Sequence, residues 1–569
     1  MPNRHLWIPV CAALLGLGGS AWLAAQTSAP AAAPPDGVRA PRIAYIDLVA
    51  GPTRGGENDE GVYLSIFGKN LGIGSPADVK VTLGDAPVSR IMYAGPSRGR
   101  SDIEQLTVQV GHAGNAAPGT ALPVRVTVNG VASNADHTFT VQPGDILFVD
   151  NVSGNDRKAR PNDPNRPFRR VQDGDDGGAL ASARPGDVIV LRGKAVWNDV
   201  GRDGRWVRFR YATGSKPNGK KGNGFLSIIA YPGETVRFVP RPGAMGGIHG
   251  IDSRGYPGYA QWIAISGLII EGGDRTVGDA PINMQAASDH WRIVNNELGP
   301  WAAEDGSKGP EARAGGIAGN GKDLAILGNH VHDIGGGNLN HCIYLDTGAS
   351  RVEVAYNHLH GCSGNIIQTF DNLGMEELRD LSIHHNLMHD GHRYGLNIAD
   401  GTELARIWDN VMYNTAFASV RLNIDPGKGS AYTIVNNSFA GANRQLQSLN
   451  APVLSTWKEP KNAVLTRNIF LVDRDSRARD LVENDADGSA KFAGNLWIVP
   501  TDRKLALPPG DTRLVAKDVA GADAALLEEM KRHACSESES APGIDTSFVF
   551  DDIDLEPRAA RNAGAYACR

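Results

Sequence analysis

"LSIHHNLMHDGHRYGLNIAD", residues 381–400, opens on a short alternating strand, turns at Asn386, resumes with an apolar pair and returns through glycine to a second strand around Asn397. The same context recurs in WRIVNNEL, LAILGNHV, VEVAYNHL, ARIWDNVM, YTIVNNSF, AVLTRNIF and AKFAGNLW. Their shared asparagines are Asn296, Asn329, Asn357, Asn386, Asn410, Asn437, Asn468 and Asn495, spaced 33, 28, 29, 24, 27, 31 and 27 residues apart. A period of about 20–50 residues carrying β-type alternation specifies a solenoid, because one repeat cannot bury its apolar face without its neighbours. Asparagine suits the recurring sharp turn: it tolerates left-handed backbone, and its amide bonds to the chain. Stacked on successive rungs, the amides are expected to bond one another in a ladder.

The rest of the chain fits an exported β protein. With 569 residues it is too long for one compact globule. Its 69 glycines and 21% charged residues point to a turn-rich all-β molecule. A net charge of −6 argues against general nucleic-acid binding. Residues 1–25 have a short basic start, an apolar run and small residues near Ala25, the pattern of a secretory signal; a lipoprotein anchor on Cys11 is the alternative. Residues 26–39 form a Pro/Ala-rich linker. No later segment has the roughly 20 apolar residues of a membrane span, so a secreted protein, periplasmic or extracellular, is expected. Export permits disulfides. Cys535 is free to pair with Cys568, and Cys342 and Cys362 to pair or to stay buried thiols; neither pair has the C-x-x-C spacing of a zinc site.

The asparagine repeat resembles the right-handed parallel β-helix of pectate-lyase-like proteins. The solenoid is expected over 145–505. ILFVDNVSGND, RPFRRVQ and ALASARPGDVIVLRG look like that family's opening strand, helical cap (179–184) and first rung, and DIDLEPRAARNAGAYAC is similar to its closing segment. Residues 506–569 are assigned to a cap and tail, with a helix at 523–534 as the stopper. Before the solenoid, residues 40–143 contain short alternating strands at sandwich spacing. With GKNLG and NGVASN, they resemble an IPT/TIG immunoglobulin-like module.

On the family's rung scheme, the first strands are PINMQ, GGIAGN, HCIYLD, NIIQTF, YGLNIAD, SVRLNID and LQSLN. Their alternation points Ile343, Leu345, Ile367, Leu396, Ile398, Val420 and Leu422 inward. An outward, solvated column is left, made of Asn283, Ala318, Tyr344, Gln368, Asn397, Arg421 and Gln447, with rungs about 4.8 Å apart. Such a track suits an extended sugar polymer: rings stack, amides bond hydroxyls and arginine binds carboxylate. The histidines of the opening stretch fall around a rung and not in one site. His392 and Arg393 lie in the return turn beside Asn397, and His341 holds a similar place earlier. The resemblance implies a polysaccharide lyase acting on an acidic polysaccharide. Arg421, His392 or Arg393 would be the base and Tyr344 or His341 the acid. Gln368, Asn397, Asn283, Gln447 and Asn423 would bind the glycan. No calcium-ligand cluster of the known families is intact, although Asp371 and Asp400 offer oxygen ligands, so calcium is the one cofactor in view. The series Asp346, Asp371, Asp400 and Asp425 also has spacing suited to glycoside hydrolysis, or to plain Asp-Gly turns. A non-catalytic carbohydrate-binding surface protein is the third reading.

Overall fold

A computed structural model describes residues 39–74, 78–172, 177–198, 204–209, 214–220, 222–241, 244, 246–250, 260–272, 280–284, 288–302, 315–371, 378–399, 402–423, 431–441, 454–457, 462–472, 482–483, 490–501, 507–516, 523–536, 538, 540, 543–558 and 562–568. The expected signal (1–25) and nearly all of the expected linker (26–39) lie outside these residues.

The chain forms a right-handed parallel β-helix preceded by a small β-sandwich. Three long parallel sheets, of 10, 12 and 11 strands, make the solenoid. Each rung gives one strand to each: first, second, then, past the asparagine turn, third. Ile343–Asp346, Ser350–Ala355 and His358–His360 form one such rung. The second sheet begins at Ile146–Val149 and the third ends at Thr512–Ala516. Inward side chains from all three build one continuous core, including Ile343, Leu345, Ile367, Leu396, Ile398, Val420 and Leu422.

The ladder is present. Asn386 is fully buried; its Nδ2 donates to Asn410 Oδ1 at 2.9 Å and to Val354 O at 2.8 Å. Its Oδ1 accepts from the backbone N and the Nδ2 of Asn357. The same double bond links all eight asparagines from Asn296 to Asn495. At the far end Asp511 takes the acceptor role, with Asn495 N and Nδ2 each 3.0 Å from its Oδ1. One expected detail is corrected. The left-handed residue is not the ladder asparagine but the one before it: Asn295, Gly328, Tyr356, His385, Asp409, Asn436, Arg467 and Gly494 have φ of 50–68°. That residue bends the chain, and the following amide, back in ordinary conformation, satisfies the polar groups the bend exposes.

In the sandwich, a sheet ordered Arg42–Ile46, Tyr63–Lys69, Glu104–Gln109 and Arg90–Pro96 faces one containing Ala50–Gly51, Thr138–Val141, Ala121–Val128 and Val79–Leu83. Its core, including Leu64, Ile66, Val108 and Phe139, runs without a break into Phe148, Val188, Val190 and Ile229 on the outer side of the second sheet. Arg292 donates to the backbone of Ile46 and Asp47, and Arg100 to His385 O.

The short helix Gly178–Ser182 forms near the expected place. The helix Asp523–His533 also forms, but not as an end stopper. Leu526 and Met530 pack beside Val411, Ile469, Leu471, Leu496 and Ile498, covering the outer side of the third sheet. Those outward positions are apolar, so the side needs the cover. Both cysteine pairs, Cys342–Cys362 and Cys535–Cys568, are disulfides. No helix among the described residues is long and apolar enough to cross a membrane.

Replacing Asn386 by Ala strands the Asn357 backbone N–H in a dry interior and removes one bond each from Asn357 Nδ2, Val354 O and Asn410 Oδ1, although Asn357 Nδ2 keeps Ile326 O and Asn410 Oδ1 keeps the backbone N–H of residue 386. The expected cost is about 2–5 kcal/mol, to be measured as a lowered denaturant midpoint with unchanged m-value.

Candidate functional site

The first sheet aligns the expected column. Pairing runs Asn283, Ala318, Tyr344, Gln368, Asn397, Arg421. The last expected strand is displaced: Leu454–Trp457 pairs with Val420–Asn423, and Ser455 stands beside Arg421. Gln447 lies outside the described residues. Asn423 pairs with Trp457 through the backbone. Two residues that sequence reasoning missed extend the column the other way, Arg208 and His249; they sit in two-residue strands, too short to show alternation.

The column is sunken rather than fully solvated, a second correction. Gln368 and Asn397 each expose only 7%, and Ala318 8%, whereas Asn283, Tyr344 and Arg421 are half-buried. The short amides lie one rung inside Tyr344 and Arg421 and tie to each other. Gln368 Oε1 accepts from Asn397 Nδ2 at 2.7 Å and from Asn365 Nδ2 at 2.5 Å. Asn397 Oδ1, by contrast, is buried with no hydrogen-bond partner among the described residues. A buried orphan carbonyl costs about 1–3 kcal/mol, so this atom is an acceptor held ready for a hydroxyl or amide.

The return turn brings cations and rings to the same place. The Arg393 guanidinium lies 5.5 Å from the ring centre of Phe417, and that of Arg421 lies 5.0 Å from the ring centre of Tyr394. The two rings are themselves 5.2 Å apart. Arg393 makes no ion pair among the described residues. His392 is exposed. The Cys342–Cys362 bridge pins the turns before and after the rung that carries Tyr344, from Ile343–Asp346 to His358–His360.

His341 is 5% exposed, its ring 5.6 Å from that of Tyr344. Its Nδ1 accepts from Asn365 N at 2.8 Å. Burial, with the nearby Arg393 charge adding to it, pushes its pKa down to about 4. The neutral ring therefore carries its proton on Nε2 and serves to position Asn365 and Tyr344.

At the end of these strands, the Thr347 hydroxyl lies 3.2 Å from Asp346 Oδ1 and 3.0 Å from Asp371 Oδ1. Asn320 donates to Thr347 O, and its own Oδ1 is buried without a partner among the described residues. Asp400 and Asp425 lie outside the described residues. The histidines of residues 384–392 part company: His384 and His385 are buried, Nδ1 to Nδ1 at 2.9 Å, beside the sandwich and tail. His389 joins four histidines from neighbouring rungs on the third sheet, an assembly invisible along a single rung.

No protein-family model matches the chain, and no curated protein does. Solved structures to which it is similar include the PL6-family alginate lyase AlyGC in a mutant form, at 13% identity and TM-score 0.39, covering 68% of this chain and 56% of that one. The GH136 lacto-N-biosidase from Eubacterium ramulus has 12% identity and TM-score 0.33, over 62% and 67%. The pectate lyase Pel9A has 12% identity and TM-score 0.33, over 75% and 97%. The chain thus spans little more than half the length of the alginate lyase.

His341 also sets a pH dependence. Its folded pKa is depressed from 6.5 to about 4, so between those values the unfolded chain binds more protons. Stability from this group is complete above about pH 6.5, declines as pH falls toward 4 and is level below, an effect of up to about 3 kcal/mol. Denaturant unfolding at neutral and acid pH is expected to give a shallower acid loss for His341→Gln than for the parent.

Proposed function

We propose that the protein is a secreted polysaccharide lyase that cleaves a uronate-containing glycan along the first sheet. The observation that carries this reading is the Arg393 cation on Phe417, free of any ion pair among the described residues, set beside an amide column whose Asn397 carbonyl lacks a partner. Cation and amide together suit a sugar that bears both carboxylate and hydroxyls. Arg393 and Arg421 neutralise the carboxylate and so acidify the C5 proton; Asn397 and Gln368 hold the ring hydroxyls, with Asn283 further along. His392 removes the C5 proton. The electron pair forms the C4–C5 double bond as the C4–O bond breaks, and Tyr344 protonates the departing oxygen. His341 is a positioning residue in this scheme. A hard cation suits the oxygen-rich end of the groove: Asp371 and Asp346, with Asn320 Oδ1, would hold calcium, which supplies further charge against the carboxylate.

A second reading rests on Asp346 and Asp371 meeting at one hydroxyl, a carboxylate pair of the kind glycoside hydrolases use. A binding protein without catalysis is the third. Incubation with a panel of acidic polysaccharides separates them: a lyase releases unsaturated ends that absorb in the ultraviolet, a hydrolase only reducing ends, a binding protein neither.

On the lyase reading, Tyr344→Phe is expected to lower kcat about 10²–10⁴-fold, and Arg393→Ala to lower kcat as well as raise KM for charged substrates. Both should leave the unfolding midpoint unchanged. Chelation is expected to lower activity, with recovery on adding calcium.

A further inference from the structure

The register that stacks the asparagines also stacks the residues just C-terminal to them. NHVHD (329–333), NHLHG (357–361) and NLMHDG (386–391) are successive third strands. Val331, Leu359 and Met388 point into the core, which leaves the flanking imidazoles on the outer side. His330 pairs with His358, and His332 with His360 and then His389. All five rings are half-buried.

Their nitrogens converge. His330 Nε2 is 2.8 Å from His360 Nε2, and His358 Nε2 is 2.7 Å from His389 Nε2. The ligand atoms of His330, His332 and His360 all lie within 4.8 Å of one another, as do those of His358, His360 and His389. Two of the rings have a carboxylate on the opposite nitrogen: His332 Nδ1 to Asp333 Oδ2 at 2.9 Å, and His389 Nδ1 to Asp390 Oδ2 at 2.7 Å. Asp390 is in turn held by Asn414. A carboxylate on Nδ1 fixes the proton there and leaves Nε2 as a lone-pair donor, the usual support of a metal-bound imidazole. Glu297, one rung before His330, places Oε1 3.8 Å from His332 Nε2.

A purely structural stack of rings is the simpler account, and part of the assembly is one: His389 lies flat on Tyr413, 4.8 Å away. Stacking explains neither the nitrogens pressed together in pairs nor the carboxylates behind them. The same sheet side also changes character at Val411, where apolar residues begin and the 523–533 helix covers them; the histidines precede that cover.

We propose that this side of the third sheet binds a divalent transition-metal ion of the zinc class. His330, His332 and His360 are the ligands through Nε2, with Glu297 in reach as the fourth. Around zinc at about 2.0–2.1 Å the His330 and His360 Nε2 atoms stand somewhat further apart than the 2.8 Å seen here, which small side-chain rotations supply. Imidazole selects zinc, copper or nickel over calcium. Because His360 belongs to both triads, one ion per chain is expected. The metal side and the groove lie on different sheets, so either reading can fail without the other.

The test uses the full chain, without a polyhistidine tag, stripped by chelator and titrated with Zn²⁺ by calorimetry, alongside the visible spectrum of the Co²⁺ form. Expected are one Zn²⁺ per chain and Co²⁺ bands of nitrogen ligation. Asp333→Asn should weaken binding about 10–100-fold. His360→Ala should weaken it further and abolish the Co²⁺ bands, and His332→Gln provides the same readout should His360→Ala fail to fold by circular dichroism. The proposal is overturned if the parent binds no Zn²⁺, or if folded His360→Ala or His332→Gln binds it as tightly as the parent.

Discussion

Most of the solenoid depends on one repeated hydrogen-bond pair, in which an asparagine gives its backbone and side-chain N–H to the amide oxygen of the next rung. Each coil is only a few short strands, and many first strands are two to four residues long. Such strands specify register weakly. From Asn296 to Asn495 the ladder fixes it once per turn, inside the core, where a slip would leave buried donors unpaired. Between these fixed points the chain is free to vary, which is why intervals from 24 to 33 residues produce rungs that still lie in register.

Fixed register converts sequence periodicity into three sides of different chemistry. The outer side of the second sheet is apolar at its start and shares a core with the sandwich, so the sandwich is part of the same folded unit. The first sheet carries the sunken amide column, flanked by cations on aromatic rings. The third is divided between histidines and an apolar stretch under the C-terminal helix.

The solenoid is legible because eight asparagines share one local context, and most of the outward column follows from alternation once the resemblance supplies the rung scheme. What the sequence hid has physical reasons. Asparagine tolerates left-handed backbone, which points to the ladder residue itself; the residue that does bend varies from Asn and Gly to Tyr and Arg, so no shared type marks it. The strand after Val420–Asn423 was set too early, since alternation in LQSLN resembles that in LSTW and only pairing distinguishes them. Depth is invisible in the sequence: a polar residue between two apolar ones is outward, but whether Gln368 is wet depends on its neighbours one rung away, Tyr344 and Asn397. The 523–533 helix announced an apolar side without saying what it would cover. The histidine assembly was missed by reading along one rung; the signal was N-H-x-H recurring 28 residues later.

Asp511 ends the ladder with a group that accepts from Asn495 but hands nothing on, while its own backbone N–H turns back to Pro508 O. The chain of amides therefore has a polarity and a terminator. A further coil, from this chain or from a second molecule set end to end, would find no donor to continue the series. Parallel β stacks are prone to grow into filaments, and here a single carboxylate closes the direction in which growth would run.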